Sequence, residues 1–212
     1  MKKYVQYGCG LSAPEGWINF DASPTLRLQK LPVVGNLLSA KLNVKFPDSV
    51  RYGDITKGLP GISDNSCDGV YCSHVLEHLS LSDFRIALQN TYRILKPGAI
   101  FRCVVPDLEV IARSYISRLD SEDKSEASIR FVKDTLLGVE ARSKGIKGVA
   151  TGVFGNSHHL WMWDNASLTE ELYKAGFKDV RKCSFNDSED SSFSKVEDES
   201  RFINAVALEA IK

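Results

Sequence analysis

A four-residue strand candidate, Tyr4-Val-Gln-Tyr7, runs directly into the turn Gly8-Cys-Gly10, and the next strand candidate, Trp17-Ile-Asn-Phe20, follows after only nine residues. Parallel neighbours normally need a crossover of a dozen or more residues, usually a helix. If these two strands are parallel, the crossover shrinks to a loop or a single turn and part of one sheet face loses its cover. The apolar segment Leu31-Pro-Val-Val-Gly-Asn-Leu-Leu38 is expected to pack into that gap. The other reading is a mobile flap that meets substrate or a membrane surface.

Strand and helix signals then alternate. Val50–Ile55 is a short third strand ending at Asp54, and 59–66 is dense in turn formers. Asp68-Gly-Val-Tyr-Cys72 is a fourth strand that delivers Ser73 and His74. A helix over 80–95 follows, capped by Ser80, with Phe84, Leu88, Thr91 and Leu95 on one face and a stop at Lys96-Pro-Gly98. Ile100–Val105 is apolar enough to be a central strand, ending at Pro106-Asp107. Asp107 caps a helix whose apolar stripe runs through Leu108, Ile111, Ala112, Tyr115, Ile116 and Leu119. A more polar helix is expected over roughly 122–138, and glycines mark a loop-rich stretch up to His158-His-Leu-Trp-Met-Trp-Asp164. Ser167-Leu-Thr-Glu170 reads as a capping box opening a helix over 167–175, closed by Gly176. The last strands are expected near 178–185 and 202–210, separated by a Ser-, Asp- and Glu-rich stretch, 186–200, that reads as a solvated loop and nothing more.

This alternation predicts one α/β domain over 1–212, with a mostly parallel sheet covered on both faces. Ligands of such sheets bind beyond the carboxyl ends of the strands. Gly8-Cys9-Gly10, Asp21, Asp54, Ser73-His74 and Pro106-Asp107 each follow a strand directly, so five strands deliver glycines, carboxylates or a histidine to one edge. Each acid alone is more often a turn or cap residue than a functional one; their repetition at corresponding positions carries the functional reading. Asp21 is placed like the acid that accepts hydrogen bonds from ribose hydroxyls.

Composition excludes several classes. Lys+Arg and Asp+Glu balance at 27 each, which leaves no global field for nucleic acid or an anionic membrane. Arg130, Lys133, Arg142, Lys144 and Lys147 are spread without aromatic interleaving. No apolar run is long enough to span a bilayer, and the N-terminus lacks the apolar core of a signal peptide. The five cysteines form no Cys-x-x-Cys pair, as expected for reduced thiols in a cytoplasmic protein.

The order Gly8-Cys-Gly10, Gly16-Trp-Ile-Asn-Phe-Asp21, Ser73-His-Val-Leu-Glu-His-Leu79, Tyr92-Arg-Ile-Leu-Lys-Pro-Gly98 and Val104-Val-Pro-Asp-Leu108 resembles the class I S-adenosylmethionine-dependent methyltransferases. It is similar in particular to small predicted methyltransferases with a Gly-Trp-Ile-Asn-x-Asp segment in place of the first helix. The resemblance implies a Rossmann-like, doubly wound sheet of seven strands with the last antiparallel, and S-adenosylmethionine as cofactor. Gly8, Cys9 and Gly10 would lie against the methionine portion, Asp21 would hold the ribose, and Asp54 with Ile55 would face the adenine. Ser73 and His74 would sit near the transferable methyl. Gln6 stands where many members carry an acid, and the usual third glycine of the loop is missing. The insertion 108–165 would be a helical lid over the acceptor, a small molecule or glycan offering a hydroxyl.

A methyl sulfonium needs mainly alignment and exclusion of water; a hydroxyl acceptor also benefits from a general base. His74, His158 and His159 are the candidates, with Asp107 as an orienting or acceptor-binding carboxylate. For each, a purely structural role stands beside the catalytic one. Trp161 and Trp163 could stack on a sugar or could be core residues. A binding module that holds the nucleoside without transferring methyl is the main alternative. His74-Val-Leu-Glu-His78 also matches a zinc-hydrolase pattern, but that pattern needs both histidines on one regular helix, and His74 directly follows a strand; no metal is expected there.

Overall fold

In the computed structural model, which describes residues 2–31, 45–139 and 158–212, seven strands share one sheet. They are β1 (Tyr4–Tyr7), β2 (Trp17–Asp21), β3 (Arg51–Tyr52), β4 (Cys67–Ser73), β5 (Leu95–Pro106), β6 (Lys178–Lys182) and β7 (Ala205–Ile211). Their order is β3-β2-β1-β4-β5-β7-β6. The first five run parallel, and β7 is antiparallel to both β5 and β6. This is the α/β, Rossmann-like sheet with an antiparallel last strand that the sequence implies.

No helix links β1 to β2: residues 8–16 are turns and extended chain. A six-residue helix, α1 (Pro24–Gln29), comes only after β2, capped by Ser23. Its Leu26 packs with Cys9, Phe46 and Val50. Leu31 is exposed, and 32–38, expected to cover the gap, lie outside the described residues. The third strand is shorter than expected because Gly53 and Asp54 turn the chain into a 3-10 turn at Ile55–Lys57.

One face of the sheet is closed by α2 (Leu81–Ile94) and α5 (Asn165–Lys174). Phe84, Ala87, Leu88, Leu168 and Leu172 pack against Val5, Val70, Phe101 and Cys103. Helix α5 begins earlier than expected. Asp164, not Ser167, is the N-cap, and Ser167 serves as the third residue of the capping box. Glu170 is left on the surface beside Lys174. Helix α3 (Leu108–Leu119) is capped by Asp107 as expected, but its stripe reaches no fully buried position among the described residues. The polar helix is a 3-10 turn at 124–126 followed by α4 (Ala127–Asp134).

The other face corrects the reading of 186–200 as a solvated loop. Two 3-10 turns, Ser191–Lys195 and Glu199–Phe202, lie over the strands that lack a crossover helix. Phe193 is fully buried between Tyr4 and Trp17, with ring centroids 6.4 and 5.4 Å away. The Tyr4 hydroxyl donates to Asp190 at 2.6 Å and the Trp17 indole to the Ser192 carbonyl at 3.1 Å. Burying a Phe side chain is worth about 1.5–3 kcal/mol, so short turns anchored by one aromatic can take over the covering role of a helix.

The register lines up one polar row across that face: Asn19, Gln6, Tyr71, Arg102, Glu209 and Arg181 are successive partners from β2 to β6. Arg102, 1% exposed, donates to Glu197 at 2.7 Å, Asp187 at 3.0 Å, Glu209 at 2.7 Å and the Ser184 carbonyl at 3.0 Å. A buried charge is tolerable only when paired and hydrogen-bonded. These bonds tie the covering segment to the middle of the sheet.

Candidate functional site

Beyond the carboxyl ends of β1, β2 and β4 lies a cleft of about 650 Å³, lined among others by Gly8, Gly10, Asp21, Asp54, Ile55 and His74. Gly8 and Gly10 have φ of +65° and +55°, a region that side chains enter only at a cost. A Cβ on Gly8 would collide with Val75, whereas one on Gly10 would meet nothing within 4 Å. The turn at Gly10 is therefore open to a ligand. Asp21 braces it: its carboxylate accepts from the Gly10 N–H at 2.9 Å and the Ser23 N–H at 2.7 Å. Each oxygen keeps acceptor capacity for a further donor. Asp54 caps the turn that carries Ile55, accepting from the Thr56 N–H at 3.0 Å and hydroxyl at 2.7 Å. Burial would raise its pKa, but those bonds and the Lys57 ammonium 3.2 Å away hold the carboxyl below its ordinary range.

His74 leaves β4 with φ +55° and its N–H bonded to the Val104 carbonyl at 2.8 Å. Its Nε2 is 3.0 Å from the Arg201 carbonyl and its Nδ1 3.3 Å from Glu77. Burial opposes the charged ring, but these acceptors outweigh it and raise the pKa. Residues 76–78 form a single 3-10 turn. His74 and His78 therefore do not share a regular helix, and the metallopeptidase geometry does not form. Instead His78 faces His159, their ring centroids 5.0 Å apart. Two backbone bonds fix this pairing, from the N–H groups of Leu160 and Trp161 to the Glu77 carbonyl, at 2.8 and 3.1 Å. Burial lowers the pKa of His159.

His74 also borders a second cavity of about 360 Å³, lined by Pro106, Val110, Ile111, Arg118, Asp134 and Asn204 among others. The remaining expected residues lie off these two spaces. The Cys9 side chain is in the core with Leu26, its thiol pushed up to about 12 by burial, and its N–H is bonded to Phe20. Ser73 lines neither space. Asp107 spends its carboxylate on the Glu109 N–H, at 2.8 Å. His158 is exposed, and Trp163 is buried against Phe84 while Trp161 is half-exposed. Reading the sequence missed Glu77 and His78 as partners of His159. The signal that could have found them is the same His-x-x-Glu-His run, read without its helix.

Residues 19–103 match the methyltransferase domain family. No curated protein matches the chain. Among solved structures, a Thermotoga maritima S-adenosylmethionine-dependent methyltransferase, described as a possible histamine N-methyltransferase, is 18% identical with a TM-score of 0.50. That match covers 100% of this chain and 83% of the other. A second, from Archaeoglobus fulgidus, is 16% identical with a TM-score of 0.49, covering 100% and 86%. The chain thus shares the fold of an S-adenosylmethionine-dependent methyltransferase, and residues 19–103 are similar to the methyltransferase domain family.

Proposed function

We propose that this chain transfers a methyl group from S-adenosylmethionine to a hydroxyl of a small molecule or glycan. The observation that carries the reading is the single cleft in which Gly8, Gly10, Asp21, Asp54, Ile55 and His74 meet. The open turn at Gly10 suits the methionine portion, the free acceptor capacity of Asp21 suits ribose hydroxyls, and Ile55 offers an apolar wall to the adenine. The acceptor would enter through the cavity on the other side of His74, covered by Val110, Ile111, Arg118 and Asp134 from the first part of the 108–165 insertion, of which 140–157 lie outside the described residues. His74 is held at both ring nitrogens, so its part is to shape the wall between the two spaces, and it could take up the acceptor proton only by releasing one of those contacts. An acceptor oxygen forms the new bond to carbon, the carbon–sulfur bond breaks, and its electron pair returns to sulfur as a neutral thioether. The hydroxyl proton leaves to water or a nearby base.

The test is a thermal shift with S-adenosylhomocysteine on the wild type and Asp21→Ala. Ligand at a hundred times its dissociation constant should add about 2.7 kcal/mol of stability to a specific binder. The wild type is expected to shift and the variant to lose most of that shift. Equal shifts would remove the ribose assignment. Methyl transfer from labelled donor into pooled sugars and small alcohols separates an enzyme from a binding module.

A further inference from the structure

We infer that Glu77, His78 and His159 form a binding site for one zinc-like divalent cation on the wall of the cofactor cleft. One ligand atom from each lies within 4.8 Å of the others. Ligands bound tetrahedrally at about 2.0–2.2 Å to one ion stand about 3.3–3.6 Å apart, so closing the set takes side-chain rotations that move the ligand atoms by about an ångström. His78 is already oriented for it. Its Nδ1 lies 3.1 Å from the His158 carbonyl and so carries the hydrogen, which leaves the lone pair on Nε2, 4.0 Å from Glu77 Oε1. A second-shell carbonyl fixing the tautomer in this way is the usual support of a ligating histidine.

The second, independent observation is Glu77 itself. Its side chain is 1% exposed, its Oε1 has, within hydrogen-bond range, only the long 3.3 Å contact to the His74 ring, and its Oε2 has no hydrogen bond among the described residues. Its neighbours are the His74 Nδ1 at 3.3 Å and the His78 Nε2 at 4.0 Å. A buried carboxylate so poorly satisfied is costly, and a cation beside it would remove that cost. Two imidazoles and one carboxylate suit zinc and its first-row neighbours rather than magnesium or calcium, which prefer all-oxygen shells. Three protein ligands leave a coordination position open. Because His78 lines the cleft, that position can face an acceptor oxygen, and a bound cation lowers the pKa of such an oxygen. This last role rests on the methyl-transfer reading; the binding itself does not.

The full chain, stripped with chelator and dialysed, is titrated with zinc by calorimetry and with cobalt(II) by visible absorption. One saturable equivalent is expected, with d–d bands and no thiolate charge-transfer band. His78→Gln and His159→Gln should each weaken binding at least about 10-fold, and Glu77→Gln likewise, while His158→Gln leaves it unchanged. Circular dichroism confirms that each variant is folded. No saturable equivalent, equal loss in His158→Gln, or a thiolate band would overturn the proposal. A shift with S-adenosylhomocysteine that survives such a result would leave the methyltransferase reading intact.

Discussion

Replacing Arg102 by methionine tests the claim that an ionic network, and not the apolar contacts alone, fastens the covering segment to the sheet. The substitution keeps a linear apolar stem but deletes the guanidinium that holds Glu197, Glu209 and Asp187. Glu209 and Asp187 retain Arg181, at 2.7 and 3.2 Å. Glu197, whose side chain is 0% exposed, retains, among the described residues, only the Asn186 N–H at 2.6 Å. The variant therefore strands essentially one buried carboxylate, a defect worth about 3–5 kcal/mol. In a chain of 212 residues, each kcal/mol moves the melting temperature by about 2–4 °C, so a fall of about 6–20 °C is expected. Urea denaturation at neutral pH measures the free energy directly. Adding Glu197→Gln to Arg102→Met should recover part of the loss, because the stranded charge is gone. A cost below about 1 kcal/mol for the single variant, or a double variant less stable than the single, would refute the reasoning.

Gly8→Ala should destabilise the fold by about 1–3 kcal/mol through collision with Val75; Gly10→Ala, whose Cβ meets nothing, should cost less stability yet weaken S-adenosylhomocysteine binding in calorimetry. Phe193→Ala should cost about 3–5 kcal/mol in denaturant melts and speed proteolysis within 186–203, since Phe193 anchors that segment. Acid should act through two carboxyls. The Arg85 guanidinium, 2.7 Å away, holds Glu171 at about 2. Burial would raise Asp190, but the Tyr4 hydroxyl and the Ser192 N–H hold it at about 2 as well. Both folded values lie below the ordinary 4.5 and 3.8, so their stabilisation is complete above that range and is lost as pH falls towards 2. The stability gap between wild type and Glu171→Gln should therefore shrink over that interval, and a constant gap would argue against the pairing.

The sheet and its working edge were legible because short apolar runs ending in glycine or an acid have few other uses. Residues 186–200 were not legible, for the opposite reason: a run rich in Ser, Asp and Glu reads as solvent-facing unless its partner is known. Here the partner is Arg102, 95 residues from Glu197, and no local period announces it. The start of α5 slipped by a few residues because Asp164 and Ser167 are both good caps, and only the reciprocal bonds between them decide which one leads. His159 could be named as a candidate but not paired. It meets His78 through two loops joined by backbone bonds to Glu77, a contact that no sequence spacing encodes.

The Tyr4–Asp190 bond spans 186 positions and the Trp17–Ser192 bond 175, which bears on the order of assembly during translation. On a ribosome, β1 and β2 emerge early but must wait with one side bare until the codons for Phe193 have been read. Most of the nascent chain therefore carries an exposed aromatic pair, Tyr4 and Trp17, that a chaperone could hold. Final closure should be late and steeply cooperative, and a polypeptide released shortly before residue 190 should be prone to clumping rather than merely less stable.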